Sequence, residues 1–343
     1  MPPYDSFLLI SFGGPEGRDE VIPFLENVTR GRGVPRERLE RVAQHYYRFG
    51  GVSPINQQCR DLLAAVEKVF AAGGIDLPVY WGNRNWDPTL AETVAAMAAD
   101  GRRHAIAFVT SAYSSYSSCR QYREDIERAR AAVPEAPRID KLRPYFNHPG
   151  FVEPVADAAR SAAASLPLAV QDSYDLVFTA HSIPEAMADA SGPSGGAYPR
   201  QLAEASRLVA ERVGRAGSWR LAYQSRSGPP SVPWLGPDIG GCLADLARSG
   251  SRAVVLVPVG FISDHMEVVF DLDVEAAQAA EQLGLRLARA ATPSTDPRFV
   301  AMITELVAER QDGLPPRALG DLGPALDVCG SGCCGTGRPR ASQ

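Results

Sequence analysis

No stretch of this sequence stays apolar for the roughly 18 residues a membrane-spanning helix needs, so no transmembrane segment is expected. Excess positive charge is missing too: the net charge is −5, which argues against general nucleic-acid affinity. The first residues, Met1-Pro-Pro-Tyr-Asp, lack the basic-then-apolar order of a secretory signal, and a soluble, cytoplasmic protein is the expectation. Cysteine is scarce, with six in 343 residues, at positions 59, 119, 242, 329, 333 and 334. In a chain of this size without an export signal, such thiols are expected to be free or to serve as ligands, not to form a disulfide frame. After Gly13-Gly14-Pro15 there is no third glycine at the right spacing, which excludes the dinucleotide fingerprint. What is present in quantity is apolar: 45% of the residues, enough for a substantial core, in a length that suggests two lobes.

The apolar residues come in short runs separated by helical patterns. Phe7-Leu-Leu-Ile-Ser-Phe reads as a buried strand ending at a tight turn, and further strands are read at Pro78–Trp81, Ala105–Thr110 and Ile139–Leu142. Helices are predicted over Asp19–Asn27, Glu37–Phe49, Gln57–Ala72, Thr89–Asp100 and Cys119–Ala131. This alternation predicts a parallel sheet covered on both faces. The order then repeats. Asp175-Leu-Val-Phe-Thr-Ala restates the first strand, Arg220-Leu-Ala-Tyr-Gln-Ser the second, and Arg252-Ala-Val-Val-Leu-Val the third. The fold class is therefore α/β, two similar Rossmann-like lobes facing each other, with lobes at 1–148 and 149–310. A helix over Arg298–Arg310 closes the fold, and a Gly/Pro/Cys-rich tail over 311–343 is expected to be irregular.

Chemistry concentrates in Gly260–Glu275, GFISDHMEVVFDLDVE, just after a buried strand. If the segment is helical, Glu267, Asp271 and Glu275 recur at i, i+4 and i+8 and line roughly 12 Å of one face. Such a row is either a solvated acidic face or a line of oxygen ligands leading a cation to the carboxyl end of the strand, where ligands bind in open α/β sheets. His265 and Met266 beside it favour the ligand reading. His181 ends another strand of the same lobe, where it could be a packed core residue or could face Glu267 across one crevice. Facing each other, the pair could accept and relay protons.

Aromatic and guanidinium side chains gather at the loop ends: Phe12, Arg84, Trp86, Tyr113, Tyr116, Tyr223, Arg226, Trp234 and Phe261. Singly each is structural; together they suggest a cleft for a flat apolar ligand with anionic arms, to which Arg30 and Arg32 are suited. Cys329, Cys333 and Cys334 lie within six residues among glycines. They could wrap a soft metal or form a bare tail, and they are one thiolate short of an iron–sulfur ligand set.

Six motifs in order, LLISFGGPEG (8–17), FLENVTRGRG (24–33), HYYRFGGVSPIN (45–56), VFTAHSIP (177–184), LAYQSRSGPPSVPWLGP (221–237) and VGFISDHMEVVFDLD (259–273), make the chain resemble the ferrochelatases, most closely the actinobacterial coproporphyrin ferrochelatases. The likeness covers about residues 5–310. It implies a chelatase-like fold with the porphyrin in the cleft between the lobes, and an enzyme that inserts Fe2+ into a porphyrin, coproporphyrin III before protoporphyrin IX. His181 then matches the active-site histidine and Glu267 its partner, with Asp271 and Glu275 continuing the metal line and Asp264 and His265 nearby. Tyr223, Gln224, Ser225, Trp234 and Phe261 match porphyrin-pocket positions, and Arg30, Ser53 and Arg84 match positions near the propionates; Phe12 and Tyr116 are placed on the same pocket. Many members carry a 2Fe–2S cluster on thiolates, which the tail would supply.

Two departures stand out. Phe12 occupies a position where several soluble bacterial members have a tyrosine able to contact the metal. Pro154 aligns with the first cluster ligand of animal members, so a fourth thiolate must come from elsewhere: Cys119 is preferred, with Cys59 and Cys242 behind it. On this reading neutral His181 takes a pyrrole proton, Glu267 holds the resulting charge, and the carboxylates bind Fe2+ weakly enough to release it. A tetrapyrrole carrier without chemistry and a cobalt chelatase of the same fold are the alternatives, and a monomer is expected.

Overall fold

The structure is a computed structural model that describes residues 3–337; the last six residues of the expected tail, 338–343, lie outside it. Each half of the chain contributes one four-stranded, all-parallel sheet. In the first, β1 (Ser6–Ser11), β2 (Val79–Asn83), β3 (His104–Val109) and β4 (Arg138–Lys141) lie in the order β2-β1-β3-β4. The second repeats that permutation as β6-β5-β7-β8, from β5 (Asp175–His181), β6 (Trp219–Gln224), β7 (Ala253–Val257) and β8 (Arg286–Arg289). The inner strands β1, β3 and β7 are buried along their whole length, which is why they read as unbroken apolar runs: helices cover both faces.

In the first lobe α1 (Val21–Val28), α2 (Arg36–Tyr47), α3 (Ile55–Gly73), α4 (Leu90–Ala99) and α5 (Gln121–Ala131) surround the sheet. Pro23 is tolerated in α1 because it lies in the first turn, where its missing N–H costs no bond. Helices α1 and α2 pack on each other through a small core of their own, Val21, Phe24, Leu25, Leu39 and Ala43, apart from the main one. The helix expected over Cys119–Ala131 opens one turn earlier, with a π-helical turn over Tyr116–Arg120 before α5.

The chain crosses to the second lobe through α6 (Pro149–Ser165), capped by His148, whose Nδ1 accepts the Gly150 N–H at 3.1 Å. The second lobe then adds α7 (Glu185–Asp189), α8 (Ala197–Val213), α9 (Ile239–Arg248), α10 (Met266–Phe270), α11 (Ala277–Gln282) and α12 (Pro297–Asp312). One large core runs through both lobes, from Phe7 and Phe108 through Phe151 and Phe299 to Phe178 and Val257. Polar bonds also join the lobes: Tyr113 donates to the Val259 carbonyl at 2.7 Å, and Gln201 holds Ser114 by its backbone N–H and its hydroxyl.

Beyond Gly313 the described chain is irregular, as expected, yet it is held closely. Asn147 donates to the carbonyls of Leu319 and Gly323, Asp321 donates its N–H to Glu204, and Arg143 bridges Glu309 and the Arg317 carbonyl. The tail therefore folds on the lobe junction by protein contacts alone as far as Asp327, where Arg310 pairs with it.

Candidate active site

Three adjacent strand ends build the site. His181 is the last residue of β5, directly opposite Gln224, the last of β6. β7 pairs with β5 on the other side, and its loop folds back so closely that the Gly260 N–H donates to the Thr179 carbonyl at 3.0 Å. A Cβ at Gly260 would lie 2.6 Å from the Ala180 Cβ, so only glycine permits that approach. The loop ends at His265, which caps α10 by accepting the Glu267 N–H on Nδ1 at 3.2 Å. Glu267 thereby faces the end of β5, with its Oε1 3.4 Å from His181 Nε2. Gln224 donates to the Glu267 carbonyl and, at 3.5 Å, to Asp271; Ser225, held at φ +60°, donates its hydroxyl to Asp271 as well.

The third member of the three-carboxylate row lies at the surface. α10 lasts a single turn and gives way to a π-helical turn over Asp271–Ala276. Glu267 and Asp271 are half-buried, whereas Glu275 is exposed, and its charge reaches both Asp271 and His45 of α2.

Charge is unevenly distributed among these groups. Burial penalises the His181 imidazolium, but the Glu267 charge and hydrogen bond, the Ser182 carbonyl and Asp271 outweigh it, and its pKa rises to about 9. Burial alone would raise Glu267; His181 and then His265 hold it at about 2 instead. Asp271 goes the other way. Burial, reinforced by Glu267 and Glu275 and only partly opposed by Ser225, pushes it to about 7. The expectation of a neutral His181 ready to take a proton is therefore corrected for the ligand-free protein: the resting pair is imidazolium and carboxylate. Asp271 is the group that titrates near neutrality.

The remaining expected pocket residues are spread over several elements. Phe12, half-exposed at the end of β1, meets Phe24 edge-on, with ring centroids 6.4 Å apart. Tyr223 is buried, Phe261 stands edge-on to His265 at 5.0 Å, and Trp234 bridges to Pro184 while its indole packs against Gly228. Ser53 is buried against Gly14, and Arg30 is exposed just beyond α1. Three positions depart from what was expected of them. The Arg84 side chain is 6% exposed, with its guanidinium paired with Asp125 and stacked 4.5 Å over Tyr122, so its charge is already matched before any propionate arrives. Asp264 turns away from the crevice to Arg289 and Thr292. The Tyr116 hydroxyl is taken by Glu124 at 2.9 Å.

Sequence reasoning passed over residues around this site, His45 and Tyr46 from the opposite lobe and Tyr198 from its own. Tyr46 of α2 faces Glu267 and Asp271, and burial with those two charges raises its phenol well above the ordinary value. His45 stacks on Phe270. Tyr198 of α8 donates to the His181 carbonyl at 2.8 Å and fixes the strand end. The HYY triplet was visible in the third motif, but no local signal tells which face of α2 meets the other lobe.

The tail cysteines come back to the fold at one place. Cys119, Cys333 and Cys334 pack together, buried, with Cys329 against them. The sulfurs of Cys333 and Cys334 are 3.7 Å apart, Cys334 also shares a hydrogen bond with Cys119, and the Gly192 N–H donates to Cys334 at 3.2 Å. That bond to Cys334 pulls the Cys119 thiol down to about 5 against its burial, helped by Lys141 and Arg123. Among the described residues no three His, Cys, Asp or Glu surround a single metal ion. A two-iron cluster asks for two thiolates on each iron instead, and tetrahedral bonds of about 2.3 Å place such a pair about 3.8 Å apart. The Cys333–Cys334 separation of 3.7 Å matches that spacing for one pair. Cys59 and Cys242 lie elsewhere in the core, with burial raising both thiols.

Comparison with known proteins agrees with this geometry. The family model for ferrochelatase matches residues 4–311. A coproporphyrin III ferrochelatase of Nocardia farcinica is 56% identical, the match covering 98% of this chain and 98% of that protein. One of Streptomyces coelicolor is 54% identical over 98% of this chain and 95% of its own length. A protein of Rhodopirellula baltica named simply ferrochelatase is 55% identical over 97% and 94%. Among solved structures, SirB from Bacillus subtilis with Fe3+ shares the fold, with a TM-score of 0.53 at 13% identity over 90% of this chain and 98% of that one.

Proposed function

The chain belongs to the ferrochelatase family, and on that premise we propose that it inserts Fe2+ into coproporphyrin III to give coproheme, as a cytoplasmic monomer. The observation that carries the reading is the convergence of His181, Glu267 and Asp271 at adjacent strand ends facing α2 of the other lobe. Metal insertion must strip water from Fe2+, remove two pyrrole protons and present nitrogen lone pairs. Glu267, ionised, and Asp271, half-ionised near neutrality, offer hard oxygens for the metal. When the cation displaces it from Glu267, His181, whose side chain is 30% exposed, releases its proton to solvent and then becomes the base for a pyrrole proton. Asp271, titrating near 7, passes protons onward through Ser225 toward solvent.

The relatives named for coproporphyrin III support that porphyrin as substrate. Arg30 and Arg32, exposed in the loop after α1, are suited to its additional propionates. The lobes at 1–148 and 149–310 and the tail at 311–343 are the division this reading uses. Cys119, Cys329, Cys333 and Cys334 would hold a 2Fe–2S cluster, which supplies one-electron redox chemistry and a cross-link between the tail and the loop after β3.

The test is anaerobic addition of Fe2+ and porphyrin to the purified protein. A Soret and Q-band change at catalytic enzyme concentration is expected, with a higher kcat/KM for coproporphyrin III than for protoporphyrin IX and a narrower gap in Arg30→Ala. Tight binding with unchanged spectra would make the protein a carrier, and equal specificity constants would remove coproporphyrin as the preferred substrate.

A further inference from the structure

Arg289 is the last residue of β8, in register with Leu256 of β7, so it stands beside the strand end from which the loop to Glu267 departs. Its side chain is 17% exposed and carries two carboxylates at once. The tip of the guanidinium takes Asp264, with Nη1 donating to Oδ1 at 3.3 Å and Nη2 to Oδ2 at 3.2 Å. Its side edge takes Asp273, with Nη2 donating to Oδ2 at 3.0 Å and Nε to Oδ1. Both pairings are two-pronged, which five donors in one rigid plane allow and a point-like ammonium does not. The two acids bracket the reactive segment. Asp264 directly precedes His265, the cap of α10, and Asp273 lies in the π-helical turn two residues beyond Asp271. Glu267 and Asp271 lie between them. Asp264 is anchored twice more: Thr292 donates its hydroxyl to Oδ1 at 3.1 Å, and the Asp264 N–H donates to Gln58 Oε1 of the first lobe at 2.8 Å. Asp264 is thus the fixed point, and Arg289 ties Asp273 to it.

We infer that Arg289 is a positioning residue for iron insertion: by clamping Asp264 to Asp273 it holds Glu267 and Asp271 in one arrangement for the metal. The inference rests on the reading of those two carboxylates as Fe2+ ligands. The backbone between the clamped ends is weak support by itself. α10 has five residues, far fewer than a helix needs to persist alone, and it runs straight into a π-helical turn. Two carboxylates close to one site also repel each other when both are charged, so a segment free to relax would let them part. A tie made outside the crevice resists that without occupying a ligand position, as the outer partners of metal ligands do. Arg289 itself touches neither porphyrin nor Fe2+.

The experiment is anaerobic steady-state kinetics with Fe2+ and porphyrin varied separately, and porphyrin binding followed by fluorescence quenching. Wild type, Arg289→Met, Arg289→Lys, Asp273→Asn and Arg286→Met are compared; Arg286 is exposed on the same strand. Misplacing a reacting group by about 1 Å costs on the order of a hundredfold, and opening the clamp in Arg289→Met is expected to cost roughly tenfold in kcat/KM for Fe2+. The loss should fall mainly on the Fe2+ KM, with porphyrin affinity within about twofold of wild type. Arg289→Lys can hold one carboxylate at a time and should fall between, and Arg286→Met should match wild type. Asp273→Asn opens the clamp from its other side, so adding it to Arg289→Met should cost nothing further. Unchanged Fe2+ kinetics in Arg289→Met overturns the inference. An equal loss of porphyrin affinity overturns it too, because the arginine would then support the lobe as a whole, and so does simple additivity with Asp273→Asn. If Arg289→Met does not fold, Asp273→Asn decides alone, at a side chain 36% exposed: a raised Fe2+ KM upholds the clamp and an unchanged one removes it. An unmoved Fe2+ KM in both Glu267→Gln and Asp271→Asn would instead fail the reading of those carboxylates as iron ligands, a result obtained with Arg289 intact.

Discussion

His45 of α2 lies flat on Phe270 at the end of α10, with ring centroids 3.7 Å apart and planes 11° from parallel. The contact joins the lobes at the helix that carries Glu267, and a second bond beside it, Arg38 to the Ser227 carbonyl at 2.7 Å, joins α2 to the loop before Trp234. Helices α1 and α2 have their own small core, so these two contacts fix that unit over the crevice. Replacing His45 by alanine should cost about 1 kcal/mol of stability, the usual worth of an aromatic pair, and raise KM for porphyrin a few-fold with little change in kcat. His45→Phe should restore both. Steady-state kinetics and thermal melts decide it; a kcat effect alone would mean the ring serves the chemistry.

His181→Ala should reduce iron insertion by about 10²–10⁴, the usual scale of a lost acid–base group, while porphyrin still binds. Glu267→Gln should fall in the same range, because it removes both a proposed Fe2+ ligand and the charge that holds the imidazolium. Porphyrin binding is tracked by fluorescence quenching and turnover by absorbance. Near-normal turnover in His181→Ala would take that residue out of the reaction.

The rate should rise with pH through an ionisation near 7, because Asp271 must be charged to bind Fe2+ or accept a proton. Asp271→Asn should flatten that limb and raise the apparent Fe2+ requirement. The stability consequence has a definite sign. A group whose folded pKa is raised stabilises fully below its unfolded value, here 3.8 for Asp271, and its contribution is lost as pH rises through about 7. His181, raised to about 9, likewise contributes fully below 6.5 and loses it through about 9. Denaturant midpoints of wild type should therefore decline between pH 4 and 7 by an amount missing in Asp271→Asn.

Arg84→Met should act on stability before it acts on substrate. Removing it leaves Asp125 in a site that is 12% exposed, with only Arg128 as partner. Breaking a buried pair on one side costs about 3–5 kcal/mol, and the remaining arginine argues for the lower end, about 3 kcal/mol. A variant with unchanged melting behaviour but a large rise in porphyrin KM would return Arg84 to the propionates.

If the proposed 2Fe–2S cluster is held, serine in place of Cys119, Cys329, Cys333 or Cys334 should abolish its reddish-brown colour and acid-labile sulfide, whereas Cys59→Ser and Cys242→Ser should keep both. Loss of the cluster should loosen the chain beyond Asp327 more than before it. Up to that point Asn147, Glu204, Arg143 and Arg310 bind the tail without help from a metal. Hydrogen exchange along the tail resolves the two segments, and uniform loosening from Gly313 onward would contradict this division.

Local sequence was enough for whatever depends on neighbours along the chain. Apolar runs such as Phe7–Ile10 and Val254–Val257 can only be strands between two helical layers, and their repetition revealed two sheets with one topology. The motifs at the strand ends indicated His181 and Glu267 as facing residues, since neighbouring parallel strands must open on the same side. Three things were decided only by packing across the fold. The π-helical turn over Asp271–Ala276 widened the winding beneath the carboxylate row, which the i, i+4 spacing of Glu267, Asp271 and Glu275 does not encode. The protonation of His181 came from a 3.4 Å separation that no spacing encodes. Arg84 looked free in sequence and proved committed, because Asp125 lies 41 residues away and reaches it only when α5 docks beside β2. Charge and burial at a site are sums over spatial neighbours, and a chain read in order shows only the sequential ones.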